Sequence, residues 1–101
     1  MYRSQLSTRY LFLLIAVLAT AVLIQAQTHS ERTFELEGSQ QYQQGHYLQA
    51  IELYQKALQI IPDKAELYNN LGTAFAMIKK YDEAVLAFNQ ALKLKPSFEK
   101  A

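Results

Sequence analysis

The hydrophobic residues follow two different patterns along the chain. Residues 11–24 are almost continuously apolar, with Thr20 alone interrupting the run, so a helix of this segment would have no polar face. From residue 31 to residue 95 the apolar residues instead recur every three or four positions, which is the spacing of amphipathic helices. This second pattern predicts an all-α domain with four helices, over residues 31–44, 48–61, 65–78 and 82–95.

The continuous apolar run is long enough to enter a membrane, and its flanks predict an orientation. Arg3 and Arg9 precede it and the first acidic residue is Glu31, so the positive-inside rule leaves the amino terminus in the cytoplasm. As a helix, residues 10–26 would cover about 25 Å, slightly less than the ~30 Å hydrocarbon core of a bilayer. We expect a single-pass membrane helix here, with everything after residue 27 on the extracytoplasmic side.

A cleavable signal peptide is the alternative interpretation of the same segment. Such a peptide needs a basic region, about 7 to 15 apolar residues and small side chains before the cleavage site. Ala26 meets the last requirement, whereas Ile24, two positions earlier, does not. Both interpretations exclude residues 1–26 from the folded domain, and they differ in whether that domain stays attached to the membrane.

The rest of the chain contains an internal repeat, in which residues 31–64 correspond one to one with residues 65–98. Superposing the two segments aligns six identical pairs, three of which are glycine or alanine. The identical pairs are Gly38 with Gly72, Tyr47 with Tyr81, Ala50 with Ala84, Ala57 with Ala91, Leu58 with Leu92 and Pro62 with Pro96. Small side chains at helix crossings let two backbones approach closely, while the aligned aromatics Tyr54 and Phe88 fill the space between layers.

This pattern resembles the tetratricopeptide repeat (TPR), a helix-turn-helix unit of about 34 residues. The second unit matches at Tyr68, Leu71, Gly72, Phe75, Tyr81, Ala84, Phe88, Ala91 and Pro96. The first unit matches at Phe34, Gly38, Tyr47, Ala50, Tyr54, Ala57 and Pro62. It departs from the family pattern at Glu37 and Gln41, where an apolar and an aromatic residue are usual. The resemblance implies an α-solenoid fragment. The predicted organisation is a basic flank (1–9), a membrane helix or signal peptide (10–26), a linker (27–30), two repeats (31–64 and 65–98) and a tail (99–101).

The resemblance also implies a peptide-binding groove on the concave face, which the first helix of each repeat lines. The matching positions are Arg32, Glu35, Ser39, Tyr42, Gln43, Glu66, Asn69, Asn70, Thr73 and Met77. Most of them are polar and can hydrogen-bond a peptide, while Tyr42 and Met77 offer apolar contact. We do not expect the family's carboxylate clamp, because only Asn70 matches it and Glu35 would repel an anionic ligand.

The carboxy-terminal helix is expected to be a second binding surface. In a TPR stack each new first helix packs on the second helix before it, and a stack normally needs about three units to be stable and a terminal cap to stay soluble. The residues expected around this open end are Val85, Leu86, Leu92 and Phe98. We expect a helix from another subunit, or the same face of a second copy, to cover them.

Composition and charge argue against other kinds of function. The absence of cysteine excludes disulfides and thiolate metal sites, and a net charge of +1 gives no reason to expect nucleic acid. His29 and His46 have no acidic companion at ligand spacing, and Glu31 and Glu35 are interpreted as a solvated helix start. We therefore expect no enzymatic activity, no cofactor and no metal.

The sequence thus predicts a membrane-anchored protein-binding module, either an accessory subunit or an assembly factor of a membrane complex. The alternative is a soluble exported TPR adaptor of the periplasm or lumen, released by cleavage near Ala26. The expected partners are proteins, a second copy of the chain among them, and the membrane through residues 10–26.

Overall fold

The structure is a computed structural model that describes the backbone of residues 2–96 and the side chains of residues 7–96. The described chain forms four helices, which confirms the all-α prediction. They are α1 (Tyr2–Gln43), α2 (Tyr47–Ile60), α3 (Ala65–Met77) and α4 (Tyr81–Leu94). Apart from the start of α1, each helix end lies within one residue of its predicted position.

The first helix is much longer than predicted. Residues 27–30, expected to be a linker, are helical, and α1 continues without interruption from the apolar segment into the first repeat. This stretch contains neither glycine nor proline, the residues that end helices. Its polar side chains also fit the helix, because the Thr28 hydroxyl donates to the carbonyl of Gln25 and the Thr33 hydroxyl to that of His29.

The apolar half of α1 contacts no other part of the described chain. Its large side chains from Tyr10 to Ile24 are all between 54% and 68% exposed. Among the described residues, α1 is the one helix long and apolar enough to cross a membrane. A signal sequence near the amino terminus has the same length and composition, so this finding leaves both interpretations of the segment open.

The other half of α1 packs with the remaining helices as two antiparallel pairs. Helix α1 packs on α2, α3 packs on α4, and α3 also packs on α2, which joins the pairs. The core lies around the α2–α3 contact. Its buried members are Ala50, Ile51, Tyr54, Ala57, Leu58, Leu67, Leu71, Ala74 and Ala87.

Two glycines mark the closest approach within each pair. A Cβ atom added at Gly38 would lie 2.8 Å from the ring of Tyr54, and one added at Gly72 would lie 2.8 Å from the ring of Phe88. Neither distance leaves room for a side chain. The aromatic ring of the second helix therefore occupies the place that a side chain on the first helix would take.

The turns after α1 and α3 have the same geometry. In the first, Gly45 has φ +83°, and the His46 N–H donates to the carbonyl of Gln41. In the second, Lys79 has φ 64°, and the Lys80 N–H donates to the carbonyl of Phe75. These bonds close the helix carboxy termini around a left-handed residue, the ordinary way in which such a helix end satisfies its carbonyls.

Candidate peptide-binding and docking surfaces

The residues expected to line the groove occupy one face of α1 and one face of α3. Eight of them form four pairs at equivalent positions of the two repeats: Arg32 with Glu66, Glu35 with Asn69, Ser39 with Thr73, and Gln43 with Met77. Tyr42 and Asn70 complete the set, and every member is exposed or partly exposed. This groove face is therefore open to solvent along both first helices.

Several polar groups of the groove face are already used inside the protein. The hydroxyls of Ser39 and Tyr54 lie 3.2 Å apart, and the Thr73 hydroxyl donates to the carbonyl of Asn69 at 2.9 Å. Within the described part of the chain, the side chains of Arg32, Gln43, Asn69 and Asn70 make no hydrogen bond. These four side chains can therefore bind a ligand without breaking an internal contact.

An ion-pair cluster that the sequence did not predict lies at the end of the groove face nearest the apolar segment of α1. The Nζ of Lys64 is 2.9 Å from Oε1 of Glu31 and 2.6 Å from Oε2 of Glu35. The Glu31 side chain is only 3% exposed, so its interpretation as a solvated helix start was wrong. Because α1 continues through this position, Glu31 is not at a helix end, and the turn between α2 and α3 covers it.

The same cluster changes the electrostatics expected for the groove. Burial by itself would lower the pKa of Lys64, but its hydrogen bonds to Glu35 and Glu31 outweigh that effect and raise the pKa above its ordinary value. Lys64 therefore stays protonated and compensates part of the negative charge of both carboxylates. The repulsion of an anionic ligand that Glu35 was expected to cause is correspondingly reduced.

The outer face of α4 carries apolar residues whose equivalents on α2 are buried, but no described helix packs on them. In the first repeat, Ile51 and Leu58 are 6% and 9% exposed because α3 packs on them. Val85, the equivalent of Ile51, is 55% exposed, and Leu92, the equivalent of Leu58, is partly exposed. The structure thus leaves open the surface on which a further first helix would pack.

The structure does not bring all the predicted docking residues onto this surface. Leu86 follows Val85 and so lies about 100° further around the helix. It is 70% exposed and lines a shallow depression between α3 and α4, together with Tyr68 and Phe75. Phe98 lies outside the described residues. We define the C-terminal face by the residues that share the direction of Val85, namely Tyr81, Val85, Phe88 and Leu92.

The opposite end of the stack is polar. Glu37 and Gln40 are exposed, whereas their equivalents Leu71 and Ala74 are 7% and 0% exposed against α2. Glu37 and Gln40 line a shallow depression with exposed polar residues of α2, so polar side chains there stay in water. The departure of Glu37 from the repeat pattern is thereby explained as a polar cap on the first unit.

The fold and its two surfaces are those of a helical repeat protein that binds other proteins. The family model described as tetratricopeptide repeat matches residues 32–97, and the chain therefore belongs to the TPR family. A solved structure of the second TPR of Spaghetti (RPAP3), bound to the HSP90 peptide SRMEEVD, is similar with a TM-score of 0.69 and 29% identity. That similarity covers 75% of this chain and 72% of the other.

Curated relatives contain the same unit within much longer chains. The peroxisomal targeting signal receptor of Candida glabrata is 35% identical over 60 residues, which cover 59% of this chain and 10% of the receptor. DnaJ homolog subfamily C member 7 of Homo sapiens is 36% identical over 69 residues, which cover 64% of this chain and 14% of that protein. The chain thus spans less than a fifth of either relative, and what it shares with them is a TPR protein-interaction module.

Proposed function

We propose that this protein is a membrane-anchored adaptor, an accessory subunit or assembly factor that holds a protein partner at the membrane through its TPR module. The observation that carries this proposal is the solvent exposure of the apolar half of α1. Eleven large hydrophobic side chains between Tyr10 and Ile24 are more than half exposed. Each would forgo about 1.5 to 3 kcal/mol of burial energy in water, which a bilayer would supply.

The proposed orientation follows from the charges that flank the apolar segment. Arg3 and Arg9 stay on the cytoplasmic side, and the TPR module lies on the extracytoplasmic side. The proposed role is binding and not catalysis. The HSP90 peptide bound to the solved relative supports a peptide as one kind of ligand.

The mass and extraction behaviour of the native protein test the anchor. We expect the full mass of the chain, and we expect the protein to stay with membranes during an alkaline carbonate wash. A native protein that lacks residues 1–26 and is released in soluble form would contradict the anchor and favour the exported adaptor. The mass alone separates these two functions because cleavage near Ala26 removes the whole apolar segment.

The C-terminal face offers this adaptor a second contact, with an amphipathic helix of another protein. The chain itself shows the chemistry of such an occupant, because α3 packs on α2 through Leu67, Leu71 and Ala74. Those residues have the spacing i, i+4, i+7, with exposures of 0%, 7% and 0%. Since α4 presents the equivalent surface in the second repeat, a helix with the same apolar spacing fits it.

A second copy of this chain fits the C-terminal face less well. Head-to-tail stacking would place the polar end, with Glu37 and Gln40, on Val85 and desolvate it. An amphipathic helix of another protein has an apolar stripe to place there and avoids this desolvation.

A peptide taken from the chain itself tests the C-terminal face. The probe is a labelled peptide of residues 62–80, which contains α3, titrated by fluorescence anisotropy against the full chain in lipid nanodiscs. We expect saturable binding that weakens at least tenfold in the double variant Val85→Glu with Leu92→Glu. A peptide carrying Leu67→Glu and Leu71→Glu is the matched inactive probe.

Leu86→Glu is the matched control on the protein side, because Leu86 lies off the C-terminal face and its substitution should leave peptide binding unchanged. Circular dichroism checks that each variant keeps its helical content. Peptide binding that survives the Val85 and Leu92 substitutions would refute the assignment of this face. Dimers that form without peptide and are lost in the same double variant would make a second copy the occupant.

A further inference from the structure

The groove face is joined to the apolar segment by an uninterrupted helix. Helix α1 includes residues 27–30, so no break separates the predicted span from the first repeat. With a rise of ~1.5 Å per residue, Arg32 lies about 9 Å beyond Ala26 along the axis and Gln43 lies about 25 Å beyond it. The groove face therefore begins about 9 Å from the end of the apolar segment.

The repeat domain is also fixed to α1 at this junction. Lys64, from the turn between α2 and α3, bridges Glu31 and Glu35, which lie one helical turn apart on α1. Phe34, between these carboxylates, packs on the core, and the Nζ of Lys56 lies 5.8 Å from the centre of its ring. These contacts, with a buried Glu31 and partly exposed Lys64 and Glu35, hold this part of α1 against the rest of the repeat domain.

The order of the helices sets the direction of the groove. Helices α1 and α3 run in the same sense, away from the apolar segment, and α2 and α4 run back. Lys64, the residue before α3, contacts Glu31 and Glu35, so α3 begins near the height at which the first repeat begins on α1. With residues 10–26 spanning the membrane, a ligand that crosses from α1 to α3 would run across the axis of α1 and roughly along the membrane surface.

We propose that the groove binds the juxtamembrane segment of a second integral membrane protein, held parallel to the bilayer and within about 25 Å of it. This inference rests on the proposed function, because it requires residues 10–26 to span the membrane. An extended chain advances ~3.3 Å per residue, so about three to eight residues connect such a segment to its own span. Confinement to one membrane also raises the effective concentration of such a neighbour over that of a free protein.

Crosslinking from the groove tests which kind of chain it holds. The chain contains no cysteine, so Asn69→Cys places one benzophenone label in the groove, and Gln55→Cys places one on the exposed outer side of α2 as a matched control. After irradiation in native membranes, mass spectrometry locates the crosslinked residue of the partner. We expect at least fivefold more product from Asn69→Cys, mapped within about eight residues of a transmembrane span.

The height of the groove is tested by insertions between Gln27 and Thr28. Fourteen helix-forming residues would raise the domain by about 21 Å while leaving its rotation within about 40°. Fourteen glycine and serine residues would form a flexible chain whose average length is also about 20 Å but which can still fold back to the membrane. We expect the helical insertion to reduce crosslinking from Asn69→Cys at least fivefold and the flexible insertion to preserve most of it.

The outcomes separate this inference from the function on which it rests. Crosslinks that map to a soluble protein, or far from any span, would overturn the juxtamembrane assignment and leave the anchored adaptor intact. Equal crosslinking with both fourteen-residue insertions would overturn it as well. No excess of product from Asn69→Cys over Gln55→Cys would contradict peptide binding in the groove and overturn the inference, while the anchor and the C-terminal face are decided by the mass and by the α3 peptide titration.

Discussion

The two repeats have the same internal framework and different outer surfaces. A Cβ atom added at Gly38 or at Gly72 would lie the same 2.8 Å from the aromatic ring of the second helix, and Ala50 and Ala84 are 0% and 3% exposed. The surfaces between a repeat and its neighbour do not match in this way, since Ile51 is 6% exposed and Val85 is 55% exposed.

Residues inside a repeat are thus constrained by the repeat itself, whereas residues between repeats are constrained by the neighbour. The first unit has polar residues on the side that lacks a neighbour in the described chain. The second unit keeps apolar residues on its open side. The first unit therefore presents a polar surface to solvent, whereas the second presents an apolar surface of the kind on which a further helix packs.

The largest expected effect concerns the two glycines. Gly38→Leu should destabilise the domain by about 3 kcal/mol or more, because the Tyr54 ring beside it is 3% exposed and has no space to move. Gly72→Leu should cost about 1 to 3 kcal/mol, because the half-buried Phe88 can shift toward the open end. Thermal unfolding followed by circular dichroism measures both. Midpoints within a degree or two of wild type would mean that the register of the repeats is wrong.

The next prediction compares one ion pair of each repeat, and the expected change in the free energy of unfolding is smaller. Lys64→Met should cost about 2 kcal/mol, because it leaves the Glu31 carboxylate buried without a partner. Lys95→Met is the matched variant in the second repeat, where the pair with Glu66 is about half exposed on both sides and should contribute less than about 0.5 kcal/mol. Urea unfolding gives both values, and equal losses would contradict a special role for the Lys64 cluster.

Substitutions in the two equivalent turns should change the free energy of unfolding by still smaller amounts and in opposite directions. Lys79→Gly should stabilise the domain by about 0.5 to 1 kcal/mol, because glycine adopts the left-handed conformation without the strain of a Cβ atom. Gly45→Ala should destabilise it by about 1 kcal/mol for the same reason. If both substitutions destabilise, the turn after α3 depends on the lysine side chain and not on backbone geometry alone.

The smallest expected difference between the repeats is in how the free energy of unfolding changes at alkaline pH. Burial raises the pKa of Tyr54 above its ordinary value of 10.0, and the Lys64 pKa is also raised above 10.5. In both cases the unfolded chain loses its proton first, so stability is complete below about pH 10 and falls as the pH rises through the folded-state values. Tyr54→Phe, which copies the Phe88 of the second repeat, should flatten this fall in urea midpoints measured from pH 9 to pH 11.5. An unchanged slope would exclude Tyr54 as a contributor.

Local sequence was sufficient for the helices and for the repeat. Helix periodicity, the regular spacing of the repeat and the paired glycines and prolines predicted four helix positions to within one residue at nearly every end. These features are encoded locally because a helix needs only its own apolar stripe and its own terminators. Residues 27–30, predicted to be a linker, are helical, because a polar stretch without glycine or proline does not end a helix.

The contacts between elements were decided by tertiary structure. Glu31 and Lys64 are 33 residues apart, and neither has a local feature that marks it as part of a buried pair. Helix geometry alone separates Leu86 from Val85 by about 100°, but the packing of α3 on α4 decided that Leu86 lines a depression with Tyr68 and Phe75. Sequence alone therefore determined which segments are helical and where they repeat. Which charges are buried, and which apolar residues share a face, followed from packing, because a side chain's surroundings are set by residues far away in the chain.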